Sequence, residues 1–227
     1  EALIEDSNLT ATGAISVSSK TEGTTDEPTI DSLVLAGAGG GSIGNGASFV
    51  PSAAGAYALN EVSNTIEAVV INTTEGTYTL TADTGDISVS AIDKSSINAD
   101  VVGAAVSFSG GTGSSGSMTI GVSIGINEID NSVNASVDKY DVNATLGKIA
   151  VNVTETATIS ALAVAASLSG SSGSSSSLSL SGGGSDVSNV ILTKSDALVK
   201  QSLLNAPSND IDVTAVSTSS IEAIVAT

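Results

Sequence analysis

The chain of 227 residues has no cysteine, histidine or tryptophan, and only its three tyrosines and two phenylalanines are aromatic. The absence of cysteine excludes a disulfide scaffold. Without histidine a serine nucleophile lacks its usual general base, and sugar-processing sites usually present aromatic platforms and basic groups. We therefore expect no enzyme.

Positive charge is also scarce, because six lysines and no arginine face 24 acidic residues, which gives a net charge of −18. Binding to phosphate backbones needs clustered Lys and Arg, so nucleic acid is excluded as a partner. An anionic membrane surface would repel the chain. No apolar run reaches 18 residues, so the sequence contains no transmembrane helix.

Glycine, serine, threonine, alanine and valine dominate the composition, and the aliphatic residues are frequent and patterned enough to argue against disorder. A compact core with so few aromatic residues must consist of thin aliphatic layers. Strand ladders that run the length of an elongated body suit such a core better than one globular centre.

The stretch from Gly85 to Val133 has the form of one complete copy of a repeating unit. Large apolar residues occupy every second position over 118–126, which predicts a strand with one aliphatic face and one very small face. Apolar residues alternate likewise over 104–108. The glycine- and serine-rich segment 110–117 between them predicts a hairpin.

Internal repetition is the strongest signal in the sequence. One glycine-turn block recurs at intervals of 72, 62 and 62 residues, and an Ile-x-Ala pair begins ten residues after the isoleucine of each of the last three copies. In the first copy the matching isoleucine, Ile30, comes five residues late, and we expect the acidic insert 22–28 to bulge out as a loop. The blocks are GAISV (13–17), GDISV (85–89), GKIAV (147–151) and NDIDV (209–213); the pairs are Ile97/Ala99, Ile159/Ala161 and Ile221/Ala223; a third anchor is EALI (1–4), EAVV (67–70), NASV (134–137) and DALV (196–199).

These anchors define one continuous array over 1–227, with units at 1–66, 67–133 and 134–195 and a partial unit at 196–227. Each unit is predicted to contain three short strands, a long glycine/serine hairpin and a polar corner. The segment 195–207 is read as a strand or a short helix, because it has a serine start and a proline stop. The hairpins are predicted at 34–60, 101–127 and 162–191, the corners at Asn64, Asn131 and Asn189, and loops near Pro28, Pro51 and Pro207.

The predicted fold is all-β: an elongated β-solenoid, a right-handed parallel β-helix of thin coils, with Gly/Ser-rich antiparallel hairpins protruding or stacking along one side. The alternative is a string of tandem small β-sandwich modules, each one unit long. The solenoid is favoured because each unit lacks aromatic anchors for a core of its own. Since the array has no polar terminal unit, we expect either a fragment of a longer array or a subunit whose open ends pair with neighbours.

The repeats resemble those of very large secreted bacterial surface proteins of the haemagglutinin-like, adhesin-like kind. The resemblance covers nearly the whole chain and depends on GDISVSA, the Ile-x-Ala entry into GAAVSFSGG, the return GVSIGINEIDNSV and the next start NASV. It implies a structural stalk, adhesin or self-assembling filament at the cell surface or in the extracellular space, and it supplies no catalytic residues. The alternative is a module that binds a glycan or a surface through its hairpin tips.

Acidic residues suggest at most weak calcium binding, and no cofactor is expected. Asp83, Asp86 and Asp93 cluster near a turn, and Glu128 with Asp130 forms a second group. The segment GGGSDVSNV (182–190) is faintly similar to a calcium-binding nonapeptide but lacks its spacing and occurs once. Solvated acids at turns explain these groups better. The carboxylate pairs available for acid–base chemistry are Glu61 with Glu67 and Glu128 with Asp130.

Two further surfaces are candidates. Five Asn-x-Ser/Thr triplets occur about as often as chance allows, so they are weak glycosylation candidates. The small face of the predicted hairpins is a candidate assembly face, because small side chains permit tight stacking and are poor strand formers when exposed. The triplets begin at Asn8, Asn72, Asn134, Asn143 and Asn152; the small face comprises Gly121, Ser123, Gly125, Ser177, Ser179 and Ser181.

Overall fold

A computed structural model describes residues 1–22, 29–74 and 76–227, and within them every regular element is a β-strand. The loop predicted at 22–28 lies, after Glu22, outside the described residues, as does Pro28. Across the described ranges, the structure holds no helix of the length and apolarity that crossing a bilayer requires.

The strands repeat in a fixed order along four successive coils. The first coil holds β1 (Ala2–Glu5), β2 (Leu9–Ala11), β3 (Ile15–Glu22), β4 (Ile30–Gly44) and β5 (Ser48–Val62), and the second begins with β6 (Thr65–Ile71), β7 (Tyr78–Ala82), β8 (Ile87–Lys94) and β9 (Ser96–Gly111). The 24-residue β10 (Ser115–Asp138) closes the second coil and opens the third, which continues with β11 (Tyr140–Ala144), β12 (Ile149–Glu155) and β13 (Thr158–Gly173). The equally long β14 (Ser177–Lys200) leads into the fourth, which holds β15 (Leu203–Asn205), β16 (Ile211–Ser217) and β17 (Ser220–Ala226).

Each strand pairs in parallel with its equivalent in the neighbouring coil, so the fold is a parallel β-solenoid. The anchors found in the sequence are in register: Ile87 pairs with Ile149 and Ile149 with Ile211, and the Ile-x-Ala pairs align in the same way. Ile30 also pairs with Ile97. The repeat period is therefore the length of one coil.

Three strands of each coil form a three-sided solenoid body. Its core is aliphatic and draws on all three sides, for example Val133 from β10, Val142 from β11 and Val151 from β12, each at most 2 % exposed. Corners between the sides are tight: a Cβ added to Gly147 would lie 2.1 Å from the carbonyl oxygen of Gly85 in the coil beneath. At Gly147 the turn beneath leaves no room for a side chain, whereas the fourth coil has Asn209 at the equivalent position.

The remaining strands, two in each of the first three coils and β17 alone in the fourth, extend away from the body as a two-sheet projection, here called the fin (residues 30–62, 96–130, 158–192 and 220–226). One fin sheet contains β4, β9, β13 and, near the body, β17, and the other contains β5 and the first halves of β10 and β14. The prediction that these segments form antiparallel hairpins is therefore wrong in one respect. Their two strands are not paired with each other; each pairs with the next coil, and the two sheets pack face to face.

Three local readings change with the structure. The interval of 72 residues exceeds 62 by ten: five arise from the late position of Ile30, and five from a longer corner in the second coil, where six residues separate β6 from β7 whereas one separates β10 from β11. The segment 195–207 is strand and turn, which excludes the helix reading. Pro51 lies inside β5 and not in a loop; it is tolerated because β5 pairs on one side only, with β10. Pro207 lies in a turn, as predicted.

The solenoid formed by this chain is much wider across its axis than it is long along the axis. Each coil adds about 4.8 Å along the solenoid axis, whereas the 24 residues of β10 extend about 80 Å across it. The four coils in this chain are therefore much wider than they are tall, and length along the axis requires many more coils.

Candidate functional site

Beyond its base, where Ile97, Ile129 and Ile159 are buried, the interior of the fin is lined mainly by small residues. Gly121 and Ser123 are buried between the two sheets, and a Cβ added to Gly121 would lie 2.5 Å from the carbonyl oxygen of Ala166 on the opposite sheet. A Cβ on Gly103 would lie 2.3 Å from the carbonyl oxygen of Val122. Face-to-face sheets are usually about 10 Å apart, and only side chains as small as these permit a closer approach.

This placement changes the reading of the candidate assembly face. Gly121, Ser123 and Gly125 do meet another sheet closely, but that sheet belongs to the same chain. A second molecule therefore cannot reach them. Ser177, Ser179 and Ser181 are exposed, because they lie on β14 beyond the part of the fin that β17 reaches.

An asparagine ladder crosses the fin near its base. The Asn60 side-chain amide donates to Asn127 Oδ1 over 2.7 Å, and the Asn127 amide donates to Asn189 Oδ1 over 2.7 Å. Asn127 is fully buried. The structure thus groups Asn189 with Asn127, not with Asn131 as the sequence reading had it.

The junction of body and fin contains a buried carboxylate that the sequence reading assigned to a solvated turn. Asp93 is fully buried, and its Oδ1 accepts hydrogen bonds from the backbone N–H and hydroxyl of Ser95, at 3.1 and 2.6 Å. Its Oδ2 accepts from the Asn131 amide at 2.8 Å, and Asn131 Oδ1 accepts from the backbone N–H of Asn64 at 2.8 Å. The cluster therefore links β8, β10 and the first coil.

The next coil places Glu155 at the same position, in register with Asp93. Glu155 is also fully buried; it accepts from the Ala157 backbone N–H at 2.7 Å and from the hydroxyls of Ser217 and Ser219. Each carboxylate thus accepts from the residue two positions later in its own corner, and Glu155 also accepts from two hydroxyls of the next coil. A carboxylate at the same position in two coils, followed two residues later by a small residue, is the sequence signal that could have revealed this corner.

The other acidic residues do not converge. Asp83 and Asp86 are exposed in a glycine corner, whereas Asp93 lies near the far end of β8, about 20 Å away. Asp186 is exposed within β14. Over the described ranges, no three acidic side chains lie close enough together to hold a metal ion.

The two carboxylate pairs considered for acid–base chemistry are also placed differently. Glu61 is in register with Glu128 of the next coil and not beside Glu67. Glu128 and Asp130 share the outer face of β10, where Asp130 is exposed. These carboxylates therefore lie on an open sheet face.

The glycosylation candidates differ in accessibility. Asn72 is 3 % exposed and donates to the carbonyl of Gly76 at 2.7 Å, so the folded chain offers no access for a glycan there. Asn8 is exposed, and Asn134, Asn143 and Asn152 are half-buried on outer faces. Asn143 accepts a hydrogen bond from Asn205, and Asn152 accepts one from Thr214.

Asn143 also lies in a shallow groove on the outer face of the body. The groove crosses β7, β11 and β15 and is lined by hydroxyl, amide and carboxylate groups together with aliphatic carbon, from Thr79, Thr81, Asp141, Val142, Asn143, Leu203 and Asn205. Its polar lining fits hydrogen bonding to hydroxylated ligands, although no aromatic side chain lines it.

Comparison of the chain with protein-family models, curated proteins and solved structures finds no match.

Tyr140 joins three coils. Its hydroxyl accepts from the Ser7 backbone N–H at 2.8 Å and donates to the Ser7 carbonyl at 2.7 Å, and its ring stacks on Tyr78 at 6.1 Å between centroids. Burial raises the pKa of Tyr140 above its ordinary value of 10.0; the hydrogen bond from Ser7 opposes this, and the charge of Asp6 adds to it.

We expect this tyrosine to make folding sensitive to alkaline pH. Because its pKa is raised in the folded chain, Tyr140 loses its phenolic proton at a lower pH in the unfolded chain than in the folded one. The contribution of the protonated hydroxyl to the free energy of unfolding is therefore complete below pH 10 and is lost as the pH rises through the raised pKa. The free energy of unfolding, measured by urea titration between pH 8 and pH 11, is expected to fall more steeply in the native chain than in Tyr140→Phe. Equal slopes would contradict this prediction. Tyr57, which is 56 % exposed, supplies the control variant Tyr57→Phe.

Proposed function

We propose that the chain is a structural repeat segment of an extracellular surface stalk, adhesin or self-assembling filament. The observation that carries the proposal is the unbroken parallel register between coils, in which every strand of one coil pairs with its equivalent in the next. No unit closes on itself, so each coil depends on its neighbours for hydrogen bonds and core contacts.

The composition supports export to an exposed surface. Cysteine is absent, so folding needs no redox chemistry, and the charge of −18 keeps such a body soluble.

The hydrogen bonds between coils run parallel to the solenoid axis, so a force that extends the solenoid along this axis is opposed by all the strands of a coil together. A projection of about 100 Å would need about 20 coils of this type, or about 1,300 residues, since each coil rises about 4.8 Å.

Antibodies raised against the purified chain test the location. In the organism that produces the chain, they are expected to label intact cells, and brief protease treatment of those cells should remove the labelling. An antibody against a cytoplasmic protein serves as the control for cell integrity. Labelling that appears only after permeabilisation would contradict the proposal.

The groove on the body supports a second candidate function, the binding of a surface glycan. Its hydroxyl and amide groups match sugar hydroxyls, and Asn143 and Asn205 present a hydrogen-bonded amide pair there. Saturable binding to immobilised oligosaccharides, lost on Asp141→Ala but retained on Asp83→Ala, would favour this function. Absence of binding across a diverse glycan array would exclude it.

A further inference from the structure

The outer faces of the fin have an unusual composition for a surface. Beyond its base, where Asp31, Glu61, Asp100, Glu128, Asp130 and Glu222 lie, the fin carries a single charged side chain, Asp186, although the whole chain has 30 charged residues. Because small residues fill the interior, the large apolar side chains point outward. Those that remain exposed on the sheet of β4, β9 and β13 are Leu33, Leu35, Ile43, Val106, Phe108 and Leu168.

That sheet presents an apolar surface, here called the β9 face (the outer side of β4, β9 and β13), with Asp100 at its base edge in register with Leu33. Ile43 is 82 % exposed, Leu35 68 % and Leu168 66 %, although they are large and apolar. The ring of Phe108 lies over Gly110 and Gly170, where the missing side chains leave it room to lie flat. Contiguous apolar surface on this scale marks an interaction site.

We infer that the β9 face is the contact surface for the β9 face of a second copy of this chain. This inference rests on the proposed assembly function and adds a lateral contact between solenoids, distinct from any stacking along the axis.

The area of the β9 face suits such a contact. Between Leu33 and Ile43 it spans about eleven residues, or about 36 Å, and three strands cover about 14 Å. Two copies would together bury about 1,000 Å², which is the lower bound for a specific interface. Each further coil would add to that area, so the contact strengthens in a longer array.

Charge favours an antiparallel arrangement of the two fins about a two-fold axis. The acidic residues lie almost entirely in the bodies and at the fin base, so overlapping the fins in opposite directions places the two bodies at opposite ends. They would then be about 36 Å apart, several times the Debye length of about 8 Å, and their repulsion would be screened.

A lipid bilayer is the less suitable occupant. A fin inserted in lipid would expose both outer faces, and the second of them carries Asp186 in the middle of the strand. A charged side chain in hydrocarbon is costly. The tip, at 112–117, also presents several hydroxyl groups that would have to cross the hydrocarbon.

Sedimentation velocity of the full chain over a micromolar concentration series tests the inference. Val106→Lys and Ile120→Lys are a matched pair, because each lies on the middle strand of its fin sheet in the second coil and they are 50 % and 45 % exposed. We expect the native chain and Ile120→Lys to dimerise and Val106→Lys to remain monomeric. Far-UV circular dichroism should be the same for all three, and Leu168→Lys provides a second variant if Val106→Lys misfolds.

Three outcomes would overturn the inference. A native chain that stays monomeric over the concentration series would exclude the contact. If Val106→Lys and Ile120→Lys had the same association state, the β9 face would be excluded as the contact surface. Flotation of the native chain with zwitterionic phosphatidylcholine vesicles, lost in Val106→Lys, would assign the face to lipid. None of these results bears on labelling of intact cells, so the failure of the inference and that of the proposed function are distinguishable.

Discussion

Replacing Gly121 with alanine is expected to lower the free energy of unfolding by about 1–3 kcal/mol or more, because the added methyl group overfills the interior of the fin. Its Cβ would lie 2.5 Å from the carbonyl oxygen of Ala166 and 3.2 Å from that of Gly103. Both obstacles are backbone atoms of the opposite sheet, which can move only if the two sheets separate. Thermal and urea unfolding followed by circular dichroism measure the loss.

Gly125 provides the matched control, because it lies on the same strand and the same face four residues away. A Cβ there would lie 3.5 Å from a methyl group of Val101 and 3.8 Å from one of Val187, which are ordinary contacts. Alanine at this position is expected to be neutral or to stabilise by a few tenths of a kcal/mol to about 1 kcal/mol, because it restricts the unfolded chain. Equal losses for the two variants would contradict the close approach of the sheets.

Replacing Asn131 with alanine is expected to lower the free energy of unfolding by about 2–5 kcal/mol, because it leaves a buried carboxylate without one of its partners. Asp93 would lose the donor to its Oδ2, and the Asn64 N–H would lose its acceptor. Asn131→Asp keeps the shape but places a second carboxylate against Asp93, so at neutral pH its loss should be at least as large. Denaturant titration measures both.

The register-matched control is Thr193, which occupies the position of Asn131 in the next coil and is half-buried. Thr193→Ala should cost about 0.5 kcal/mol or less, as surface changes usually do. If Asn131→Ala were as mild as Thr193→Ala, the buried cluster would not stabilise the junction of body and fin.

The register of the coils could be predicted from the sequence, because identical residues stack on themselves at a constant interval. The blocks that contain Ile87, Ile149 and Ile211 predict the alignment of the body strands, and these three residues are in register in the structure. The third anchor confines the five extra residues of the second coil to 71–84, because EAVV starts 18 residues before GDISV whereas NASV starts 13 before GKIAV. Whether they precede or follow β7 could not be predicted, since an interval gives only the sum of changes between two blocks.

The orientation of the fin strands could not be predicted from alternation. A period of two separates Ile120 and Val122 from Gly121 and Ser123, but it does not say which set faces inward. Hydrophobic burial favours the aliphatic set, whereas close packing of two sheets favours the small set. The structure has the small set inside, which depends on the facing residues Gly103 and Ala166, distant in sequence.

The buried corner carboxylates were missed for a related reason. Asp93 follows a strand and precedes two serines, a pattern that usually indicates a solvated turn. Its burial depends on Asn131, 38 residues later, and on the coil beneath. The repetition of an acid at Glu155 was visible in the sequence, but its enclosure by Ser217 and Ser219 follows only from stacking.

The stacking of coils is tested most directly by a disulfide across two of them, because the chain has no cysteine of its own. Ser90 and Asn152 are in register on neighbouring coils, at about 4.8 Å, whereas Ser90 and Thr154 would be about 8 Å apart, beyond the reach of a disulfide. On mild oxidation, the Ser90→Cys/Asn152→Cys variant should form an intramolecular bridge quickly and completely, and Ser90→Cys/Thr154→Cys should not. A string of independent sandwich modules would bridge neither pair, and that result would contradict the solenoid.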